Sequence, residues 1–521
     1  MEVQIPLPSY SPDEPAIHRL VDDILEYIFL LNAISPDRPA IPPLEPIPPN
    51  LEHVTTVASS QVCTRWRSIA LNCHTIWGLI IDYPRHSLKW IETLLDRSNP
   101  SLLDFGSRKC SVCLLKDDNQ SVLGLVFNHI DRLRIFNLYC LSYTWDLVCS
   151  RFLQLPAPNI EFVHLMFTGD TGHLTHPLFN NDAPNLQTLS LLRCSVDLTS
   201  PVLTSLTELY AREIFFDEED TVPTVLDWLN ILRGMPSLRR VDLNHAISSA
   251  PAANDICPVI HLIALDMLSI VGPFDECVTL VKHLILPPRC GLKLKLRRYY
   301  RDVGFDQRQL ELCAIIEKRI DSWAKNAPNR CLKAVVTTDS IDIENLSCKK
   351  NELVGKEVDP DLSIFLKLLN LQETVTLFNS LFALFQRTFF TTTCLHLGIE
   401  HPAGAQVLLP LVDSFRDFVN LEKLFVRHDS LSRLLFPLLQ QANSVLFPQI
   451  KSIFFSGVNF EDGSDTVLRV ADFLRWRREQ GFPVQEIKIN SLGSRIDRKY
   501  VLTHIQDTAV DIYELYARDS N

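Results

Sequence analysis

Glycine is scarce in this chain of 521 residues, with 16 in all. Loops that bring the backbone close to a phosphate or a cofactor need glycine, because a side chain would block that approach. The sequence also contains no P-loop, no dinucleotide fingerprint and no G-x-S-x-G nucleophile elbow. We therefore predict no catalytic residues and no cofactor, and we interpret the protein as a non-enzyme.

Basic charge, export signals and unbroken apolar runs are lacking as well. The formal net charge of −12 argues against binding of nucleic acid through bulk charge, because that affinity comes mainly from phosphate neutralisation. Residues 1–16 are acidic and proline-rich and predict a flexible leader rather than a signal peptide. The most apolar stretch, residues 361–385, is interrupted by Lys367 and Glu373, so it predicts a buried helix and no membrane span.

The 14 cysteines follow no regular spacing, which predicts reduced thiols in the cytoplasm or nucleus. Cys110 and Cys113 form a C-x-x-C pair, but a zinc site needs two further ligands at tight spacing. We interpret the pair as two ordinary thiols on a strand and predict no metal site. His173 and His176 are close in sequence and are interpreted as loop residues with satisfied rings.

From about residue 130 the chain repeats the pattern apolar-x-x-apolar-x-apolar. First positions lie 20 to 32 residues apart in the front run, and 29 and 34 residues apart at the back. The nine segments that fit begin at Leu133, Ile160, Leu186, Leu206, Leu238, Leu265, Leu421, Ile450 and Val484. Steps of this size predict one strand and one helix per unit, in stacked units that share a continuous core.

The span 290–395 fits this repeat poorly. It predicts a strand at 290–300, a helix at 305–328, a second strand at 331–344 and a loop at 347–360. We expect irregular or inserted units here, and a separate domain beginning near residue 350 is an alternative. Two charged segments, 292–302 and 475–479, are interpreted as solvated surface rather than as nucleic-acid contacts.

Two helical patterns precede the repeats, at 17–34 and 51–73, and a proline-rich stretch at 35–50 separates them. Residues 74–84 predict a small helical corner and a strand. A further helix and a strand near 101–105 are predicted after them.

The two N-terminal patterns resemble an F-box, of the divergent kind abundant in mushroom-forming fungi. "LVDDILEYIF" at 20–29 is similar to the family's opening Leu-Pro-x-Glu-apolar-apolar-x-x-Ile-Phe, with Val21 in place of proline. "QVCTRWRSIA" at 61–70 is similar to Val-Cys-x-x-Trp-Arg-x-Leu-Ala. The resemblance implies an α/β fold: a three-helix F-box at 17–82, a linker with first irregular repeats at 83–130, and a leucine-rich-repeat-like solenoid at 131–521.

The resemblance also implies a role as the substrate-recognition subunit of a cullin–RING ubiquitin ligase. The F-box would dock on a Skp-type adaptor, and the repeats would hold an unknown protein substrate, with no nucleic acid and no membrane involved. One alternative is that the N-terminal helices only cap a repeat scaffold that has no ligase role. A second is an enzyme, such as a hydrolase within 290–395, although no residue spacing there indicates an acid, a base and a nucleophile. The predicted adaptor-binding residues are Leu20, Val21, Ile24, Leu25, Ile28, Phe29, Val62, Cys63 and Trp66.

Side chains that point outward from the short repeat strands are the candidate substrate contacts. Mixed charge with aromatic residues suits a protein or peptide partner, although most of these positions are equally consistent with plain solvation. The candidates are Glu208, Tyr210, Arg212, Arg240, Asp242, Asn244, Phe425 and Arg427, with His164, Lys423 and His428 beside them.

Overall fold

The computed structural model is mixed α/β and divides into two compact units, residues 1–221 and 222–521. This division falls inside the segment predicted as the repeat array. The structure describes residues 20–34, 51–108, 111–114, 120–169, 173–174, 177–214, 222–248, 257–299, 305–324, 330–347, 362–399, 412, 414–427, 429–441, 445–461, 465–490, 496–505, 508 and 510–515. The proline-rich stretch 35–50 and the predicted leader therefore lie outside the described residues.

The first unit opens with a cluster of short helices. They are α1 (Asp22–Ala33), α2 (Leu51–Ser59), α3 (Thr64–Asn72), α4 (His74–Leu79) and α5 (Leu88–Arg97). The single helix predicted at 51–73 was wrong, because the chain turns at 60–63 and starts a new helix there. Cys63 is extended, and its sulfur accepts a hydrogen bond from the Trp66 backbone N–H. The strand predicted within 74–84 does not form.

The core of this helical cluster is closed by side chains from α1, α3, α4 and α5. Trp77 is its largest member and is fully buried, with its indole N–H donating to the Ala70 carbonyl at 2.8 Å. The other buried members are Leu25, Phe29, Ala33, Ile69, Ala70, Cys73, Ile76, Ile80 and Leu94. Burying a large apolar side chain stabilises by about 1.5–3 kcal/mol, so this core holds α1 firmly on one side.

The rest of the first unit carries a parallel sheet. Its strands follow chain order as β3–β4–β6–β8, with β1 and β2 both pairing with β3, and β5 pairs with β7 separately. The elements are β1 (Leu103–Phe105), β2 (Val112–Leu114), α6 (Gln120–Phe127), β3 (Leu133–Leu141), α7 (Trp145–Arg151), β4 (Phe162–Thr168), β5 (His173–Leu174), β6 (Thr188–Leu192), β7 (Ser195–Val196) and β8 (Glu208–Arg212).

The second unit opens with alternating helices and strands. Its first elements are α8 (Val225–Arg233), β9 (Arg240–Asn244), β10 (Ile260–His261), β11 (Met267–Pro273), α9 (Phe274–Lys282), β12 (Leu284–Ile285), β13 (Gly291–Arg297), α10 (Phe305–Ala324), β14 (Arg330–Val336) and β15 (Ser340–Ser347). They continue with β16 (Leu362–Lys367), α11 (Leu371–Leu384), α12 (Gln386–Phe389), β17 (Thr392–Ile399), β18 (Lys423–Arg427), α13 (Asp429–Gln441), β19 (Ser452–Ser456), α14 (Asp465–Glu479), β20 (Glu486–Asn490), α15 (Arg498–Ile505) and β21 (Asp511–Leu515).

The main sheet of the second unit runs β9–β11–β13–β16–β15–β14–β17–β18–β19–β20–β21. All neighbours are parallel except at β15, which is antiparallel to both β14 and β16. The single strand predicted at 331–344 was therefore wrong, because this span forms two antiparallel strands, β14 and β15. Arg330 to Val336 turn back along Ser340 to Ser347.

All nine repeat segments coincide with strands, and their apolar positions stay in register across neighbours. Leu424 pairs with Ile453 and Ile453 with Ile487, and all three side chains are buried. A strand turns successive side chains to opposite faces, so the residue between two buried positions lies on the other face of the sheet. We call that face the open face of each unit's sheet.

The buried helix predicted over 361–385 was wrong in its first part. Leu362–Lys367 form β16, which lies between β13 and β15, and the helix α11 begins only at Leu371. Asn370 caps that helix by accepting the Glu373 N–H. Among the described residues, no helix combines the length and the apolar character needed to cross a bilayer.

Two arginines in the segments predicted as solvated turn inward. Arg298 lies 3.9 Å from the ring centre of Phe305 and forms an ion pair with Glu373. Arg477 on α14 is fully buried and donates to three backbone carbonyls. The elements α15 and β21 follow α14 in the chain.

Candidate functional site

One side of helix α1 is apolar and uncovered, although its opposite side is fully packed. Val21, Ile24 and Leu31 are 56%, 46% and 53% exposed, and Ile28 between them is half-buried. Their spacing of three and four residues places them on one helix face. Val62, just before α3, is 60% exposed. We call these five side chains the docking face.

An ion pair fixes the start of α3 beside the start of α1. The Arg65 guanidinium lies 2.6 Å from an Asp22 carboxylate oxygen, and it also donates to the Leu20 carbonyl. Arg65 therefore has a structural role, because it links the start of α3 to the start of α1. Val62 lies three residues before Arg65 in the chain.

The remaining predicted adaptor residues lie in or against the core. Leu25 and Phe29 are buried, so they pack α1 against the core and do not reach the surface. Leu20 is half-buried and packs against the same core. Trp66 is half-buried and contacts the Phe29 ring edge-to-face, with ring centres 5.3 Å apart. Cys63 caps α3. Four residues of the predicted set therefore belong to the docking face, namely Val21, Ile24, Ile28 and Val62, whereas Leu31 was not predicted.

The candidate substrate residues of the first unit lie on its open face. The Tyr210 hydroxyl donates to Glu208 at 3.1 Å, and the Arg212 guanidinium lies 5.5 Å from the Tyr210 ring centre. His164 on β4 shares a 2.6 Å hydrogen bond with the Ser190 hydroxyl. Burial, with a smaller contribution from Arg212, lowers the pKa of His164 to about 4.

Because the pKa of His164 is lowered in the folded protein, we expect the free energy of unfolding to fall as the pH is lowered. An unfolded histidine has a pKa near 6.5, so between that pH and 4 the unfolded chain binds more protons than the folded one. Lowering the pH from 7 to 5 should therefore cost about 1–2 kcal/mol of unfolding free energy through His164. When the pH is lowered from 7 to 5, urea unfolding should show a smaller loss of unfolding free energy for His164→Gln than for the parent. His261→Gln at an exposed position should match the parent, and an unchanged pH slope in His164→Gln would contradict the assignment.

The candidates of the second unit form two groups on different strands. Arg240, Asp242 and Asn244 alternate along β9 and are half-buried. Phe425 and Arg427 lie on β18, with six strands of the sheet between the two groups. Lys423 precedes Phe425 on the same face, and His428 lies outside the described residues.

A row of stacked side chains crosses the open face of the last five strands. Phe425 stacks on His396 with ring centres 3.7 Å apart and planes within 5°, and it stacks on Phe454 at 4.0 Å and 11°. The Lys488 ammonium lies 5.0 Å from the Phe454 ring centre and 5.9 Å from that of Tyr513. These five residues, paired in register from β17 to β21, are called the aromatic row.

Acidic residues border the aromatic row. Glu486 contacts Lys488 at 2.9 Å and accepts from the Ser452 hydroxyl at 2.5 Å. These contacts and other nearby cations lower the pKa of Glu486 against the opposing effect of burial. Stacking covers ring faces within the row, so the row presents mainly ring edges beside paired charges, and aromatic residues are enriched in surfaces that bind proteins.

Sequence reasoning named Phe425 in this row and missed the other members. The signal was present for two of them, because Phe454 and Lys488 each lie between two buried apolar residues of a recognised repeat. His396 and Tyr513 lie on β17 and β21, which the repeat pattern did not include.

The C-x-x-C pair is only partly described. Cys113 lies on β2 and is half-buried, while Cys110 lies outside the described residues. His173 lies on β5, whereas His176 is outside the described residues. Comparison of the chain with models of protein families and with curated proteins gave no match.

Proposed function

We propose that this protein is the substrate-recognition subunit of a Skp–cullin–F-box ubiquitin ligase. In this proposal the F-box predicted at 17–82 comprises α1 to α4, which are four helices where three were predicted, and it binds a Skp-type adaptor. The strand–helix segments after it are leucine-rich-repeat-like and bind a protein substrate. The protein itself makes and breaks no bonds. It raises the effective concentration of a substrate lysine near the ubiquitin-conjugating enzyme.

The observation that carries the proposal is the docking face. The helix α1 has two apolar faces. Leu25 and Phe29 on one face are buried in the core, whereas the docking face on the other is exposed to solvent. Exposed apolar residues that cluster on one helix, rather than scatter singly, mark interaction surfaces. A helix that presents such residues at three- and four-residue intervals fits a groove on a helical partner.

The substrate side of the proposal is supported by the open faces. Stacked strands in register offer side chains at regular spacing, and the aromatic row combines large flat rings with charges that are already paired. Aromatic residues bring large contact area at little cost in side-chain entropy. We propose that the substrate contacts include Phe425 and its neighbours in this row. The compartment consistent with this role is the cytoplasm, the nucleus or both.

The test is purification of the tagged full chain from its own cells, followed by mass spectrometry. We expect a Skp-type adaptor and a cullin to co-purify in comparable amounts, and a cullin-neddylation inhibitor to increase trapped substrates. A purification that recovers repeat-binding partners but no adaptor and no cullin would refute the ligase role and favour the scaffold alternative.

A further inference from the structure

Two cysteines and a histidine from distant parts of the chain meet on the open face of the second unit. Cys331 on β14 pairs in register with Cys394 on the parallel neighbour β17, and their sulfurs are 3.1 Å apart. His396 follows two residues after Cys394, on the same face of the strand. One ligand atom from each of the three residues lies within 4.8 Å of the other two.

We propose that Cys331, Cys394 and His396 form a binding site for a zinc-like divalent cation. Two thiolates and one imidazole are the ligand types that zinc prefers, and three protein ligands leave a fourth position for water or another group. Sequence spacing gave no hint of this site, because 63 residues separate the two cysteines. Strand pairing alone brings them together.

The local backbone is adapted to this arrangement. The register between the two strands shifts just before the pair, since Arg330 faces Thr392 but Cys331 faces Cys394. Such bulges re-aim the side chains that follow them and recur beside functional sites. Without the shift, Cys331 would pair with Thr393 and the two thiols would point to opposite faces of the sheet.

The histidine is held in a form that suits metal binding. Its ring stacks flat on Phe425, which fixes the ring plane and leaves the in-plane nitrogen lone pair available. A metal binds the imidazole through such an in-plane lone pair.

The charge of the surroundings also suits two thiolates. Lys333 lies near the site and is itself paired with Asp342 at 2.7 Å and Glu344 at 3.1 Å, while Arg427 approaches from β18. Two thiolates and one divalent cation sum to zero charge, so these neighbours need not be displaced. Zinc–sulfur bonds of about 2.3 Å in tetrahedral geometry place the sulfurs roughly 3.8 Å apart, so binding widens the pair slightly.

Cobalt is the probe that tests the site, because it takes zinc's place and reports thiolate ligands by colour. Full-length protein, reduced and stripped with chelator, should bind one equivalent of Co²⁺ with a thiolate-to-cobalt absorption, which Zn²⁺ then removes. Cys331→Ser and Cys394→Ser should lose that absorption. His396→Gln should keep part of it while binding at least about tenfold more weakly. Cys313→Ser, a half-buried cysteine on α10, is the matched control and should bind as the parent does.

A second measurement needs no variant and so does not depend on variant folding. In the parent protein, Zn²⁺ should protect Cys331 and Cys394 from alkylation, and chelator should remove that protection. The proposal is overturned if Co²⁺ absorption is absent, if it persists in Cys394→Ser, or if alkylation is indifferent to zinc. It is equally overturned if the protein as purified holds a Cys331–Cys394 disulfide that resists chelator and yields only to reductant.

Discussion

Replacing Val21 and Ile24 together with aspartate is expected to abolish adaptor capture. Both side chains are about half exposed on the docking face, so neither contributes much to the core. Buried apolar anchors of an interface cost about 2 kcal/mol or more each when removed, so the pair should weaken binding roughly a thousandfold. The measurement is titration of the purified full chain with a recombinant Skp-type adaptor.

The two substitutions should leave the helix intact, which makes the result interpretable. Val21 is the N-cap residue of α1 and makes no side-chain capping bond, whereas aspartate is among the preferred N-caps. Ile24 lies in the first turn, where negative charge is favourable. The double variant should therefore unfold at the same temperature as the parent, or higher.

A matched control separates apolar contact from added charge. Asn32→Asp adds negative charge at an exposed position near the other end of the same helix and removes no apolar surface. It should bind the adaptor within about threefold of the parent. Full binding by the double aspartate variant would show that the adaptor docks elsewhere on the chain. Equal loss in both variants would point to charge repulsion instead.

Much of the sheet was predictable because its strands obey a simple rule. An apolar-x-apolar triplet inside a buried parallel sheet must alternate inward and outward, so Leu424-Phe425-Val426 gives both a strand and a surface position. All nine segments, from Leu133 to Val484, form strands as predicted, but the middle residues Asn137 and Ser190 are buried and do not reach the surface. What a single strand cannot reveal is which residues become its neighbours, and so the aromatic row was seen at Phe425 alone.

The errors have a common physical origin in tertiary context. Leu362 to Lys367 are apolar enough for either a helix or a strand, and pairing with β13 and β15 decided for the strand. Cys331 and Cys394 carry no spacing signal because only the register joins them. At the N-terminus, the sequence predicted both Leu25 and Val21 as adaptor-binding residues, but Leu25 is buried and Val21 is exposed. The direction of each apolar side depends on where α3 and α4 pack.

The buried arginines link segments of the chain that are far apart in sequence, because their guanidinium groups donate to backbone carbonyls about 30 residues earlier. The amino-acid composition did not indicate this role. Arg132 donates to the carbonyls of Leu95 and Ser101, which lie 37 and 31 residues earlier in the chain. Arg319 likewise donates to the carbonyls of Pro287 and Cys290. Arg477 donates to the carbonyls of Leu446 and Phe447, which lie 31 and 30 residues earlier in the chain. A guanidinium suits this task because its donors diverge in one plane and reach several acceptors at once.

Arg477→Met is expected to be the most destabilising single substitution in the C-terminal part of the chain. The guanidinium donates to the carbonyls of Phe482 at 3.0 Å, Leu446 at 2.9 Å and Phe447 at 3.1 Å. Methionine fills a similar volume but leaves all three carbonyl acceptors without this donor, two of them in buried hydrogen bonds. Hydrogen bonds to charged groups contribute about 1.5–3 kcal/mol each, and partial relaxation brings the expected loss to roughly 3–5 kcal/mol.

Hydrogen exchange locates the effect, since a chain of two units need not unfold in one step. Peptides that cover 445–461 and 480–490 should exchange much faster in Arg477→Met, while those from the first unit should be unchanged. Arg478→Met is the control, because Arg478 is the next residue on the same helix and is exposed. The proposed link from Arg477 to the loop at Leu446 and Phe447 would be disproved if the two variants exchanged alike, since a solvated charge run predicts equal and small effects at both positions.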